Sequence, residues 1–123
     1  MRNNPIVLIM FVLLAGCCGN HENDEVPTAQ DADEAFGLAK ALLKRHTFPE
    51  SKSDPGKPAV YARPGSSYST ILIYGVTDAA KQKDICETLA EIRRALKARK
   101  IAVEFYREPD LNCKELLLRK LIN

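Results

Sequence analysis

The stretch YSTILIYGVTDAAKQKDICETLAEIRRALKARKIAVEFYR, residues 68–107, carries the reading of the fold. Tyr68 through Val76 is rich in β-branched and aromatic residues and reads as a strand. Thr77 or Asp78 can then cap a long helix that runs to about Lys100. Within it Ile85, Leu89, Ile92 and Leu96 recur at steps of four, three and four, which places them on one face. Its acids come early (Asp78, Asp84, Glu87, Glu91) and its bases late (Arg93, Arg94, Lys97, Arg99, Lys100). That order matches the helix dipole, so the basic cluster has a structural reason before any functional one. Ile101 to Arg107 alternates as a second strand, with Ile101, Val103 and Phe105 on one side. The three pieces form a β-α-β unit, and a right-handed crossover sets its strands parallel.

Working outward, residues 31–46 read as an amphipathic helix with Ala35, Phe36, Ala39, Leu42 and Leu43 at helical spacing. Pro49 to Pro58 is a loop rich in Ser, Pro, Gly and Lys. Ala59 to Arg63 reads as a further strand, joined to Tyr68–Val76 by Pro64-Gly65-Ser66-Ser67 as a hairpin. After Pro109 a last helix is expected from Asn112 or Cys113, ending with Leu117, Leu118 and Leu121. The expected order is α-β-β-α-β-α, an α+β two-layer sandwich with a three-stranded mixed sheet.

The chain has 123 residues, room for one domain. Its beginning reads differently from the rest. Arg2 is followed by Ile6 to Leu14, nine apolar residues without a charge. Such a helix spans about 14 Å against about 30 Å of bilayer hydrocarbon, too short to cross and right for a signal-peptide core. The run ends in Leu14-Ala15-Gly16-Cys17. These four residues resemble the lipobox of bacterial lipoproteins, in which an aliphatic and two small residues precede the cysteine that is lipidated. The resemblance covers the first 17 residues and implies cleavage before Cys17, a diacylglyceryl thioether on its sulfur and, in most Gram-negative bacteria, an acylated amine carrying a palmitate-type chain. Two or three acyl chains anchor a protein stably where one does not. Cys18 stands where an Asp would resemble an inner-membrane retention signal, which favours the outer membrane and a domain facing the periplasm. The expected organisation is a signal peptide at 1–16, an acidic flexible tether at 17–30 and one domain at 31–123.

Charge divides along the same line. The formal balance is +2, which argues against a dedicated nucleic-acid binder. Residues 18–38 hold six acids and no base, whereas the remainder to residue 123 holds ten acids and seventeen bases. A basic domain on an acidic leash is the result. His21-Glu22-Asn23-Asp24-Glu25 reads as solvated linker rather than a metal site, because nothing fixes ligand geometry there. No cofactor is expected.

Cys86 and Cys113 are the cysteines of the expected domain, in a compartment that permits disulfides. The helix descends about 20 Å from Cys86 and the following strand climbs about as far back, leaving Cys113 roughly level with it. A bridge closing that loop would stabilise the domain by about 3.5 kcal/mol in the chain-entropy model. Two separately buried thiols are the competing expectation, and without C-x-x-C a redox pair is disfavoured.

No enzyme constellation stands out. His46, the one domain histidine, falls at a helix end where a cation is simply favourable. Ser66, Ser67 and Ser69 sit in or beside a turn, and Asp78 and Glu104 read as a helix start and an outward strand residue. A binding surface is the better expectation. With helices on one layer, the other sheet face would offer Tyr61, Tyr74 and Tyr106 beside Arg63 and Arg107, and Tyr and Arg are enriched at interface hot spots. The competing view is that these tyrosines only cover the sheet or pack under the 47–58 loop. The expected function is a membrane-anchored, non-enzymatic lipoprotein that binds a protein or envelope polymer. The alternatives are a small periplasmic hydrolase and a polyanion-binding envelope protein.

Overall fold

Thr28 opens the first helix. Its hydroxyl accepts from Asp31 N at 3.1 Å while the Asp31 carboxylate accepts from Thr28 N at 2.8 Å, a reciprocal capping box. The computed structural model describes residues 25–123. The lipobox, Cys17, Cys18 and the tether up to residue 24 lie outside the described residues. In chain order the elements are α1 (Ala29–Leu43), β1 (Val60–Arg63), β2 (Ser69–Tyr74), α2 (Ala79–Leu96), β3 (Ile101–Tyr106) and β4 (Leu116–Ile122). The described residues form an α+β fold, with two helices and a four-stranded mixed sheet in the order β1-β2-β3-β4.

The β-α-β unit forms as expected. Asp78 caps α2, its carboxylate accepting from Lys81 N at 3.0 Å, and β2 and β3 pair in parallel with Ser69 opposite Ile101 and Tyr74 opposite Tyr106. The β1–β2 hairpin is antiparallel, Val60 facing Ile73 and Arg63 facing Thr70. Both helices pack on one face of the sheet. Leu38, Leu42, Ile85, Leu89 and Ile92 meet Ile71, Ile73, Ile101, Val103 and Phe105 there. Three helix residues assigned to this core from spacing are exposed instead. Phe36 is 56 % exposed, Leu38 taking its place in the α1 stripe, Leu43 ends α1 in the open, and Leu96 is 53 % exposed in the last turn of α2.

The last element differs in kind. Residues 116–122 form an antiparallel partner of β3, not a helix, so the order is α-β-β-α-β-β and the sheet has four strands. Leu117 and Leu121 stand four apart, which suits a helix, but tertiary demand overrides so weak a local pattern. As an edge strand β3 would leave its buried backbone groups unpaired on one side, and β4 supplies them. A bulge at Leu117, between the pairs Phe105–Leu118 and Tyr106–Leu116, turns Leu116 to the face away from the helices.

The expected disulfide does not form. Both cysteines are free: Cys86 is buried in the helix-side core, and Cys113 packs against Leu72 and Tyr74 on the opposite face. A disulfide needs Cα atoms within about 7 Å, and a sheet stands between these two. The expectation matched the two cysteines in height along the helix and the strand, but height does not fix the face of the sheet on which Cys113 lies. Alkylation of the native protein is expected to label Cys113 well before Cys86, whose thiol burial pushes up, with both reacting after unfolding. Peptide mass mapping checks this, and a linked 86–113 peptide would contradict it.

One arginine ties the elements together. The Arg99 guanidinium meets Glu34 at 2.8 Å and Asp31 at 3.1 Å, and donates to the carbonyls of Gly65 (3.1 Å) and Ser66. The start of α1 is thereby held against the β1–β2 turn. The opposite end of the sheet is gathered around Gly75, at φ 85°, where a side chain would strike Pro109 and Pro49.

Candidate binding face

Period-two alternation gives the sheet a second face, and the strand register says what lies on it. Tyr61, Leu72, Glu104 and Arg119 form one row across all four strands, and Arg63, Thr70, Ala102 and Leu121 form the next. Tyr74, Tyr106 and Leu116 form a third, nearer the Gly75 end. No helix residue belongs to the apolar cluster here, which consists of Ala59, Leu72 and Tyr74 with Tyr61, Tyr106 and Cys113.

The three tyrosines make one array. Tyr74 and Tyr106 stack with centroids 4.7 Å apart and planes 13° from parallel, and Tyr61 meets Tyr74 edge-on at 5.6 Å. Tyr74 is buried beneath its half-buried neighbours. Burial pushes the Tyr74 phenol up to about 12, and Tyr106 goes higher still, through burial first and then its hydrogen bond to Glu104. Both phenols are raised in the folded state, so their contribution to stability is complete below the ordinary tyrosine range near 10. It is lost as pH climbs from there through the folded-state values. A tyrosinate absorbance titration is therefore expected to show two phenols ionising late in the native protein and normally in denaturant. Normal titration of Tyr74 and Tyr106 in the native protein would contradict the array.

Beside the array lies a buried carboxylate. Glu104 Oε1 accepts from the Tyr106 hydroxyl at 2.7 Å, Oε2 accepts from Arg119 Nε at 3.2 Å, and Arg63 stands 3.8 Å away. Arg119 also lies 3.3 Å from the hydroxyl of Tyr68, a wholly buried ring with the Lys100 ammonium 5.6 Å from its centroid. The Glu104 carboxylate in the middle of this face is thus paired and hydrogen-bonded.

Two loops cover the far end. Ser51 Oγ accepts from the backbone N–H of Ser53 and of Asp54, both at 3.1 Å, and lies 2.6 Å from the Tyr61 hydroxyl. Ser51 Oγ and the Tyr61 hydroxyl thus share one hydrogen bond, which ties Tyr61 to the 47–58 loop. The second loop joins the first through Ser53 Oγ to Asp110 Oδ1 (2.8 Å) and Lys52 N to Pro109 O (2.6 Å). The Asn112 backbone N–H and the Ser53 hydroxyl hold the Asp110 carboxyl below its usual range.

Of the residues expected on this face, Tyr61, Arg63, Tyr74 and Tyr106 come together. Arg107 does not join them: its side chain pairs with Glu115 at 2.7 Å at the end of the sheet. Sequence reasoning missed Arg119, which it placed in a helix, Ser51, and the role of Glu104 as the shared acceptor. The signal for Glu104 was present, since one carboxylate interrupts the apolar run Ile101–Phe105.

Elsewhere, a shallow recess of about 360 Å³ is lined by Lys44, Arg45, His46 and Lys81. Its polar groups are engaged in holding the fold: His46 Nε2 with Thr88 Oγ1 at 2.8 Å, Arg45 with Glu91 at 2.8 Å, Lys81 with Thr47 O at 2.9 Å. Among the described residues no three His, Cys, Asp or Glu side chains gather where they could hold a metal ion. No protein-family model, curated protein or solved structure matches this chain.

Proposed function

We propose that this chain is a lipoprotein, anchored in a bacterial outer membrane through lipid on Cys17, whose domain faces the periplasm. There it binds an envelope protein without catalysis, through the sheet face centred on Tyr61, Tyr74 and Tyr106. The observation that supports this most is the continuous tyrosine array, stacked across three strands on a face that neither helix covers. The half-buried Tyr61 and Tyr106, backed by the buried Tyr74, present stiff aromatic contact area at low entropic cost, and arginine and leucine border them at Arg63, Leu116 and Leu121. The fold suits a tether as well. Arg99 holds the start of α1 against the β1–β2 turn, so the chain enters the domain at the end of the sheet opposite the two covering loops.

The test is cross-linking in cells, comparing the natural chain with a Tyr61→Ala, Tyr106→Ala double variant and with Cys17→Ala. One stoichiometric protein adduct, lost in the double variant while its circular dichroism stays unchanged, is the expected result. Cys17→Ala is expected to leave the membrane fraction. Diffuse, salt-sensitive adhesion in place of a single adduct would favour polyanion binding and overturn the reading.

A further inference from the structure

We propose that the outer edge of β4 is a strand-addition site for an extended segment of another protein, in which two adjacent acidic residues stand between apolar ones. This goes beyond the tyrosine face and does not depend on it.

β4 is the last strand of the sheet, and its outer side carries no neighbour among the described residues. An edge strand presents a row of unpaired N–H and C=O groups, which proteins ordinarily blunt by shortness, proline, a bulge, charged side chains or a covering element; on β4 the charges Arg119 and Lys120 bar a basic strand and admit an acidic one. The other edge, β1, is only four residues long. β4 is seven residues long and has no proline, and Leu116, Leu118 and Leu121 are each 39–46 % exposed. A second strand would therefore gain both backbone pairing and apolar contact.

The register specifies the occupant. A strand beside β4 continues the rows already described. Opposite Leu118 and Leu121 it would place apolar side chains, and opposite Arg119 and Lys120 it would place carboxylates, one on each face of the sheet. Lys120 has no ion-pair partner among the described residues, and Arg119 engages Glu104 through Nε and the Tyr68 hydroxyl through Nη2, leaving the remaining N–H donors of its guanidinium open. The apolar-acid-acid-apolar pattern reads the same in both directions, so strand polarity is left open.

A second copy of this chain fits less well. The bulge at Leu117 confines a two-fold antiparallel pairing with matched faces to residues 118–122. Centring it on Arg119 or on Lys120 sets like charges opposite each other. Centring it on Leu121 leaves Leu116 and Leu118 uncovered.

Labelled peptides with a Val-Glu-Glu-Val core between threonines, and the same peptides with Val-Lys-Lys-Val, test this against the full-length chain in mild detergent by fluorescence anisotropy. The acidic peptide is expected to bind at least about tenfold more tightly than the basic one. Its binding should protect outward-pointing amides of residues 116–122 from hydrogen exchange. Lys120→Glu, a change at an exposed side chain, should erase or invert the preference, and Tyr61→Ala should leave it intact. Equal or absent binding of both peptides would overturn the proposal. So would self-association of the peptide-free chain through β4 that the acidic peptide does not compete away.

Discussion

Phe105→Ala is expected to cost the domain about 4 kcal/mol, within the range for emptying a fully buried aromatic site. Phe105 is wholly inaccessible, sits in the strand that pairs on both sides, and faces Ile73 on one neighbour and Leu118 on the other beneath the helices. Neither parallel nor antiparallel partner can collapse into the space without breaking its own ladder, so most of the cavity persists. For a domain of this size the midpoint of thermal unfolding should fall by roughly 15–30 °C. Urea unfolding of the full-length chain checks it: a lower midpoint with an unchanged slope is the expected pattern. Phe105→Leu, which conserves shape better, should cost about 1.5 kcal/mol. A loss under about 1 kcal/mol for the alanine variant would mean that β3 is not the buried centre of the sheet.

Glu104→Ala should destabilise by about 2–3 kcal/mol, a large effect for a residue on the face without helices. The carboxylate is 9 % exposed, and its removal leaves the Tyr106 hydroxyl and the Arg119 guanidinium without their acceptor. Arg63 adds little, being more than half exposed at 3.8 Å. Because the penalty comes from stranded partners, replacing them together should recover most of it. The combination Glu104→Leu, Arg119→Leu and Tyr106→Phe is expected to lie within about 1 kcal/mol of the natural chain. A double-mutant cycle over Glu104 and Arg119 separates the pair from its surroundings. Additive single losses would show that the two side chains do not share the hydrogen bond.

The β-α-β unit was legible in the sequence because its signals agree. A β-branched run, an acid at the helix start, an apolar stripe and a second alternating strand all require the same arrangement. The last strand was not legible, because Leu117, Leu118 and Leu121 fit a helical stripe and a strand about equally well. Only the need of β3 for a second neighbour decides between them, and that need arises in the assembled sheet. Ile101, Ala102, Val103 and Phe105, apolar on both faces, were the available hint of an interior strand. The disulfide failed for a different reason: lengths along a helix and a strand fix a height and not a face, and Cys113 lies across the sheet from Cys86. The tyrosine face was legible in part: alternation turned Tyr106 away from Phe105 but left open which side of its strand Tyr74 takes, and the register decides it, placing Tyr74 in the row of Tyr106 and diagonally across from Tyr61. Its hydrogen-bonding partners were not legible, because Ser51 lies in a loop and Arg119 in the misread element.

Arg63 and Phe36 offer a matched pair of reporters, both more than half exposed, one on the sheet face and one on the helix layer. A photo-crosslinking amino acid placed at either position in the membrane-bound protein reads directly which side meets a partner in living cells. With the sheet face away from the helices as the binding surface, position 63 should give a single discrete protein adduct and position 36 none. A discrete adduct at position 36 with nothing at position 63 would place the partner on the helices and contradict it.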